Sequence, residues 1–393
     1  MKSTKRNNIV MRVDVVSQKG VSGFKGYIYD QKSRDYLHMS ALSSKKEIEE
    51  LYEKYKPNKV LFNPYVENSL GAPIKIYVDI TSRCNLKCKH CFNGKVKIEE
   101  LSIEEIDKIQ NYCNEYGVFE IKIGGGEPFL HSDIMYCLDK LCDNGRRISL
   151  TSNGTVYNEE ICKRLKKYKV KFSISLDGNQ KVHDEIRGNG CYLKVISNID
   201  KYIEYGVNPV LKYTINDINY EFEVIDEVVK LCETKGLKLH LKFVKPMGNA
   251  SGICKCLSKE NVKRILERYR ENEHVYFSDE YENYESIRML EYSCGEKRCA
   301  PGMKSIHINY RGEVRGCVFI PDEIFTEPFK TIKENELGDI WNTDGNLRFM
   351  RNLPLPVDCM ECSNYCKNIC FAYRYCLGGN LLGENPICIK NLK

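Results

Sequence analysis

A chain of 393 residues, 42% hydrophobic and 29% charged, has room for two or three globular domains and no apolar run long enough to cross a bilayer. Its net charge of +6 is spread thinly, with lysines and glutamates interleaved, which excludes the long basic stripe that tracks a nucleic-acid backbone. No apolar signal core follows the charged start Met1-Lys2-Ser3-Thr4-Lys5-Arg6, so the 20 cysteines are expected in the reducing cytoplasm, as metal ligands rather than disulfides.

Residues 10–16 and 24–29 read as a strand pair, 43–55 as a helix with Ile48 and Leu51 on one face, and 59–62 as a further strand. Short β-branched runs then alternate with amphipathic segments. The strands are expected at 75–80, 119–123, 148–151, 170–176, 209–215 and 238–243. Ser102 and Glu105 form a capping box ahead of the helical spacing Ile103, Ile106, Ile109, Cys113. Later helical runs stop at Gly145, Gly206 and Gly236, glycine being the usual residue just past a helix end. Six strands alternating with helices predict an α/β fold, a partial (β/α)6 barrel whose functional residues sit at the C-terminal strand ends. Residues 1–70 are expected as a small α+β domain, 71–250 as the barrel, 251–292 as a polar helical connector, and 293–393 as a cysteine-rich domain.

The first barrel strand runs into Thr81-Ser82-Arg83-Cys84-Asn85-Leu86-Lys87-Cys88-Lys89-His90-Cys91. Three thiolates in one loop can hold three irons of a 4Fe–4S cubane and leave the fourth open to chelate a small molecule. The alternative is a zinc knot of Cys84, Cys88, Cys91 and His90, although His90 beside Cys91 is poorly placed to share one tetrahedral ion. Gly124-Gly125-Gly126-Glu127-Pro128 ends the second strand, where bare backbone permits close approach and a carboxylate can accept from an ammonium group. It lacks the Lys-Ser/Thr ending of a phosphate loop.

These motifs, in this order, resemble those of the radical S-adenosylmethionine (SAM) superfamily. The resemblance implies reductive cleavage of SAM to methionine and a 5′-deoxyadenosyl radical that abstracts hydrogen from a substrate, with electrons from a flavodoxin, ferredoxin or reductase. It implies cofactor contacts by His90, Gly125, Gly126, Glu127, Ser152, Asn153, Ser175, Asp177, Arg187, Thr214 and Asn216. Glu127 would hold the methionine amino group, and Arg187, in His183-Asp184-Glu185-Ile186-Arg187-Gly188, its carboxylate. The C-terminal cysteines resemble the SPASM extension of peptide-modifying radical enzymes, with three residues rather than the usual five between Cys362 and Cys366. Carried over, Cys294, Cys299, Cys317 and Cys370 would hold one auxiliary 4Fe–4S cluster, and Cys359, Cys362, Cys366 and Cys388 a second. Cys376 is left over, and two structural zinc ions are the alternative occupants. Cys191 is a candidate catalytic thiol if its surroundings activate it. Cys113, Cys137, Cys142, Cys162, Cys232, Cys254 and Cys256 read mostly as small core hydrophobes.

The expected activity is modification of a ribosomally made peptide or a protein, with no nucleic-acid or membrane partner. Residues 1–70 loosely resemble a domain that grips a precursor's leader by strand addition; a plain cap on the barrel is the other reading. Alternatives are sulfatase-maturase-type oxidation, small-molecule dehydrogenation or decarboxylation, and a non-catalytic electron carrier. A carrier gains nothing from an open iron.

Overall fold

The computed structural model describes residues 8–18, 21–94, 96–143, 145–277, 300–356 and 370–383. Its first sheet contains β1 (Ile9–Gln18), β2 (Val21–Asp30), β3 (Asp35–Leu42) and β4 (Lys59–Asn63), ordered β3-β2-β1-β4, with helix α1 (Lys45–Tyr55) between β3 and β4. Strand β3 departs from the sequence reading, which has only a pair there. Its side chains are mostly half-buried, with Leu42 alone inside, so it carries no clean alternation. Backbone pairing to β2 holds it.

The second sheet is the barrel wall. Strands β5 (Lys75–Asp79), β6 (Glu120–Gly124), β7 (Arg147–Ser152), β8 (Lys171–Ser175), β9 (Val210–Ile215) and β10 (Lys238–Phe243) lie side by side and parallel, within two residues of their expected bounds. Ile76, Val78, Ile121, Ile123, Leu150, Ile174, Leu211 and Leu239 face the crossover helices and form the core with them. The capping box of α2 (Ile103–Tyr116) is present, and the helix ends on Gly117 at φ 69°, whose N–H bonds back to Cys113. Cys113, Cys137, Cys142, Cys162, Cys232 and Cys254 are buried as expected of small hydrophobes.

The sheet is wider than six strands and remains open. In 251–292, the helix Lys259–Tyr269 is followed by a strand, β11 (Val275–Phe277), which pairs parallel to β10 and corrects the purely helical expectation. On the other edge β12 (Ser305–Ile308) pairs parallel to β5, with β13 (Val314–Arg315) antiparallel beyond it. The cysteine-rich region therefore completes the sheet that bears the cysteine loop. Trp341, buried on helix Leu337–Thr343, donates to the Leu70 carbonyl at 3.0 Å and ties that region to the start of the barrel.

The N-terminal sheet caps the barrel's lower end. Arg12, fully buried, pairs with Asp14 at 2.8 Å and donates to the carbonyls of Pro73, Gly117 and Ala72. Phe119, at the foot of β6, stacks on Tyr29 at 4.7 Å and meets Tyr36 edge-on. Among the described residues no helix is long and apolar enough to cross a membrane.

Candidate cofactor and cluster site

The loop after β5 is fastened on several sides. The N–H groups of Gly126 and Glu127 donate to Thr81 and Arg83 carbonyls at 2.7 and 2.8 Å; Lys89 N–H donates to Ile186, and Asn249 N–H to Cys91. A Cβ on Gly125, at φ 140°, would sit 2.4 Å from the Thr81 carbonyl, and one on Gly126 2.5 Å from that of Arg83. These glycines therefore let the end of β6 lie against the cysteine loop, a structural use the sequence reading does not anticipate, since it has the bare backbone approaching a ligand. The loop presents Cys84 exposed, Cys91 half-exposed and Cys88 buried.

Glu127 is fully buried below the loop. Its carboxylate accepts from Ser152 Oγ at 2.9 Å, Phe129 N–H at 3.2 Å and Asn153 N–H at 2.6 Å. Burial pushes its carboxyl up to about 7 against the pull of those donors. Asn153 extends the network upward, its amide 2.9 Å from Asn85 Oδ1 and 3.9 Å from Cys84 Sγ.

Asp177, at the end of β8, is the second buried carboxylate. Its Oδ2 accepts from Arg187 Nε at 2.6 Å and contacts His90 Nε2 at 2.8 Å, while Oδ1 accepts from Thr214 N–H at 2.7 Å. Burial works against ionisation here too, but Arg187 and His90 outweigh it and hold the carboxyl well below the usual range. Burial and Arg187 push His183 down to about 4, leaving a neutral ring whose Nδ1 accepts from Asp177 N–H at 3.1 Å. Arg187 ends helix α5 (Gln180–Arg187), which carries the whole HDxxRG element, and its Nη1 lies 3.9 Å from Cys88 Sγ.

A family profile described as the radical SAM superfamily matches residues 78–234, and one described as an iron–sulfur cluster-binding domain, SPASM, matches residues 299–363. Together they cover more than half of the chain. The chain belongs to the radical SAM superfamily. It is 27% identical over 328 residues, 79% of this chain and 71% of the relative, to the antilisterial bacteriocin subtilosin biosynthesis protein AlbA of Bacillus subtilis. It is 24% identical over 333 residues, 82% of this chain and 84% of the relative, to the mycofactocin maturase MftC of Mycolicibacterium smegmatis. Streptococcus suis SuiB bound to S-adenosylmethionine has the same fold, with a TM-score of 0.70, 16% identity and coverage of 92% and 96% of the two chains.

The cofactors of this radical SAM enzyme are S-adenosylmethionine and a 4Fe–4S cluster, with auxiliary iron–sulfur clusters in its SPASM domain. The residues present fit that set. His90 Nδ1 is buried with no hydrogen-bond partner among the described residues, a polar atom left for a ligand. His90 Nε2 is committed to Asp177, so Nδ1 is the ring nitrogen left for a ligand. Amide and guanidinium N–H groups from Asn153 and Arg187 approach Cys84 and Cys88 sulfurs, as outer contacts to cluster thiolates would.

Several residues expected as cofactor contacts also brace the site through hydrogen bonds to protein groups. Asp177 and Ser152 are buried with their oxygens engaged by protein groups. Asn216 is fully buried and organises its own turn, bonded to Ile218, Asn219 and the Thr214 carbonyl. Thr214 offers its N–H to Asp177, while Ser175 lies half-buried at the end of β8. Asn85 and Asn249 were not singled out from sequence; the first lies inside the cysteine triplet, which is the signal that could have marked it. Cys191 opens the helix Cys191–Glu204 buried, with burial raising its thiol against the pull of Arg187.

Cys317 and Cys370 border one apolar cluster built on Ile320, Met350 and Phe371. Cys376, one turn along helix Phe371–Gly378, lies near Cys370 as well. Cys294, Cys299, Cys359, Cys362, Cys366 and Cys388 lie outside the described residues.

Proposed function

We propose that this radical SAM enzyme installs a modification on a ribosomally made peptide. The names of its relatives support the reading: a subtilosin biosynthesis protein and mycofactocin maturases, each matched over about four-fifths of this chain. SuiB, of the same fold, has been solved with its precursor peptide SuiA. The observation that carries the chemistry is the loop of Cys84, Cys88 and Cys91 at the open end of the barrel, whose three thiolates would leave one iron of a 4Fe–4S cluster without a protein ligand.

Bound there, the cluster and S-adenosylmethionine supply reductive sulfonium cleavage and a hydrogen-abstracting radical. The protein binds and orients. Glu127 would accept from the cofactor's ammonium with its remaining lone pair, and the free Nη groups of Arg187 would meet the carboxylate while Asp177 fixes the guanidinium by Nε. His90 Nδ1 offers a further polar contact. In the SPASM domain, Cys294, Cys299, Cys317 and Cys370 would hold one auxiliary cluster and Cys359, Cys362, Cys366 and Cys388 the other. A flavodoxin, ferredoxin or reductase would supply electrons.

Strand β3 is the outermost strand of the N-terminal sheet, so its free edge offers a leader peptide a backbone to pair with. Capping the barrel and gripping a leader are compatible, because the cap uses side chains such as Tyr36 of β3 and a leader would use that strand's backbone edge. The test is co-expression with a short peptide encoded beside the gene, followed by mass spectrometry. A mass change that disappears in the Cys84→Ala, Cys88→Ala, Cys91→Ala variant supports the reading. SAM cleavage with every neighbouring peptide unchanged would refute it.

A further inference from the structure

The inner wall of the barrel carries charge that the cofactor site does not use. Alternation sends the apolar residues of each strand to the helices, so Lys122 of β6, Lys171 of β8, Lys212 of β9 and Lys242 of β10 face the opposite way, into the lumen. Among the described residues none of the four makes an ion pair. Their contacts are neutral: Lys212 Nζ donates to Thr151 Oγ1 at 2.7 Å, Lys122 lies 5.1 Å over the Tyr77 ring, and Lys171 lies 5.4 Å over that of Tyr276.

The carboxylates on this wall have contacts of their own: Asp79 meets His307 at 2.9 Å, Glu120 meets Lys75 at 3.0 Å, and Asp177 holds Arg187 and His90. Burial lowers Lys212 well below its ordinary value, with Lys242, Lys122 and Lys171 adding repulsion. Burial likewise brings Lys242 down to about 8. Amines that repel one another, with no carboxylate in ion-pair contact among the described residues, attract an anion. S-adenosylmethionine cannot supply it, because its sulfonium and ammonium outnumber its one carboxylate.

We propose that the barrel lumen binds an acidic segment of the substrate peptide, its Asp or Glu carboxylates pairing with Lys122, Lys212 and Lys242. This rests on the peptide-modifying reading and names the class of peptide. Lys122 and Lys212 stand three strands apart, on β6 and β9, and Lys242 lies one strand beyond on β10.

The probe is fluorescein-labelled, C-terminally amidated hexaglutamate, titrated by anisotropy into the anaerobic, cluster-loaded enzyme with S-adenosylmethionine. Amidated hexaglutamine and hexaglutamine with a free C-terminus are the comparison peptides. Hexaglutamate is expected to bind at least about tenfold tighter than either. The Lys122→Gln, Lys212→Gln variant should lose about tenfold, and Lys122→Arg, Lys212→Arg should retain binding. Lys46→Gln, Lys263→Gln, which removes two surface lysines from exposed helix pairs, should leave it unchanged. Equal binding of amidated hexaglutamine, equal loss in the surface variant, or capture of the free C-terminus alone would each overturn the proposal. A neighbour-encoded peptide that is modified while hexaglutamate fails to bind sinks the lumen proposal only. Failure to modify any peptide sinks the reading beneath it.

Discussion

Arg187 stands between Asp177 and Cys88, its Nε 2.6 Å from the carboxylate and its Nη1 3.9 Å from the sulfur. One buried ion pair thus fixes a guanidinium against a cluster-loop thiol and leaves its remaining N–H groups for a carboxylate ligand. The same Asp177 orients His90, inside the cysteine loop, so a single acid aligns two contacts from different elements.

Asp177→Asn should therefore disturb SAM binding without touching SAM. Loss of one charge-assisted anchor is expected to weaken affinity by about 1.5–3 kcal/mol, or roughly ten- to hundredfold. Iron content should be retained. Equilibrium dialysis with iron analysis reads both, and unchanged affinity would show that the ion pair does not position Arg187 for the cofactor.

Replacing Cys84, Cys88 and Cys91 with alanine should remove roughly four of about twelve irons if all three cubanes form. Release of 5′-deoxyadenosine should cease. Continued release from that variant would place the reactive cluster elsewhere.

The raised carboxyl of Glu127 gives SAM binding a pH dependence. Burial favours the neutral acid below about 7, and only the carboxylate attracts an ammonium. Affinity should rise about tenfold between pH 6 and pH 8 as the group ionises. Glu127→Gln should bind weakly throughout and show no such rise. A wild-type profile that is flat over this range contradicts the assignment.

Arg12→Ala should destabilise the fold by about 3–5 kcal/mol, because it leaves Asp14 buried without its cation and three carbonyls without a donor. Thermal melts of the apo and cluster-loaded protein would measure it. Deleting residues 1–70 should be harsher, exposing Phe119 and the barrel foot, and should yield aggregated protein. A soluble truncation with full iron content would show that the cap is dispensable.

The barrel was legible because each strand is a β-branched run backed by helices with capping and glycine signals, as at Ser102, Glu105 and Gly117. Strand β3 was not, since its pattern reflects partial burial on both faces. Strand β11 was hidden by brevity, and β12 by the cysteine motifs around it. Within the site, motif order located Cys84, Glu127, Asp177 and Arg187, but residue type could not separate ligand contacts from supports. The hydrogen bonds that Asp177, Ser152 and Asn216 make to protein groups are visible only in the fold. Glycines at 125 and 126 announce a close approach without saying what approaches. The lumen lysines belong to four separate strands and come together only when the sheet is assembled.

The pairing of β12 with β5 bears on how the enzyme is made. Lys75 aligns with Ser305, so the strand that launches the cysteine loop acquires its outer neighbour only after the ribosome has added some two hundred further residues. Until then β5 presents an unpaired edge in the nascent chain, the kind of template on which intermolecular strand pairing begins. Such a distant partner also slows folding, since a long loop must close before the contact stabilises anything. Assembly of the cysteine loop into its final setting is thus a late event, and recombinant yield should respond to slower translation and lower temperature more than to iron supply.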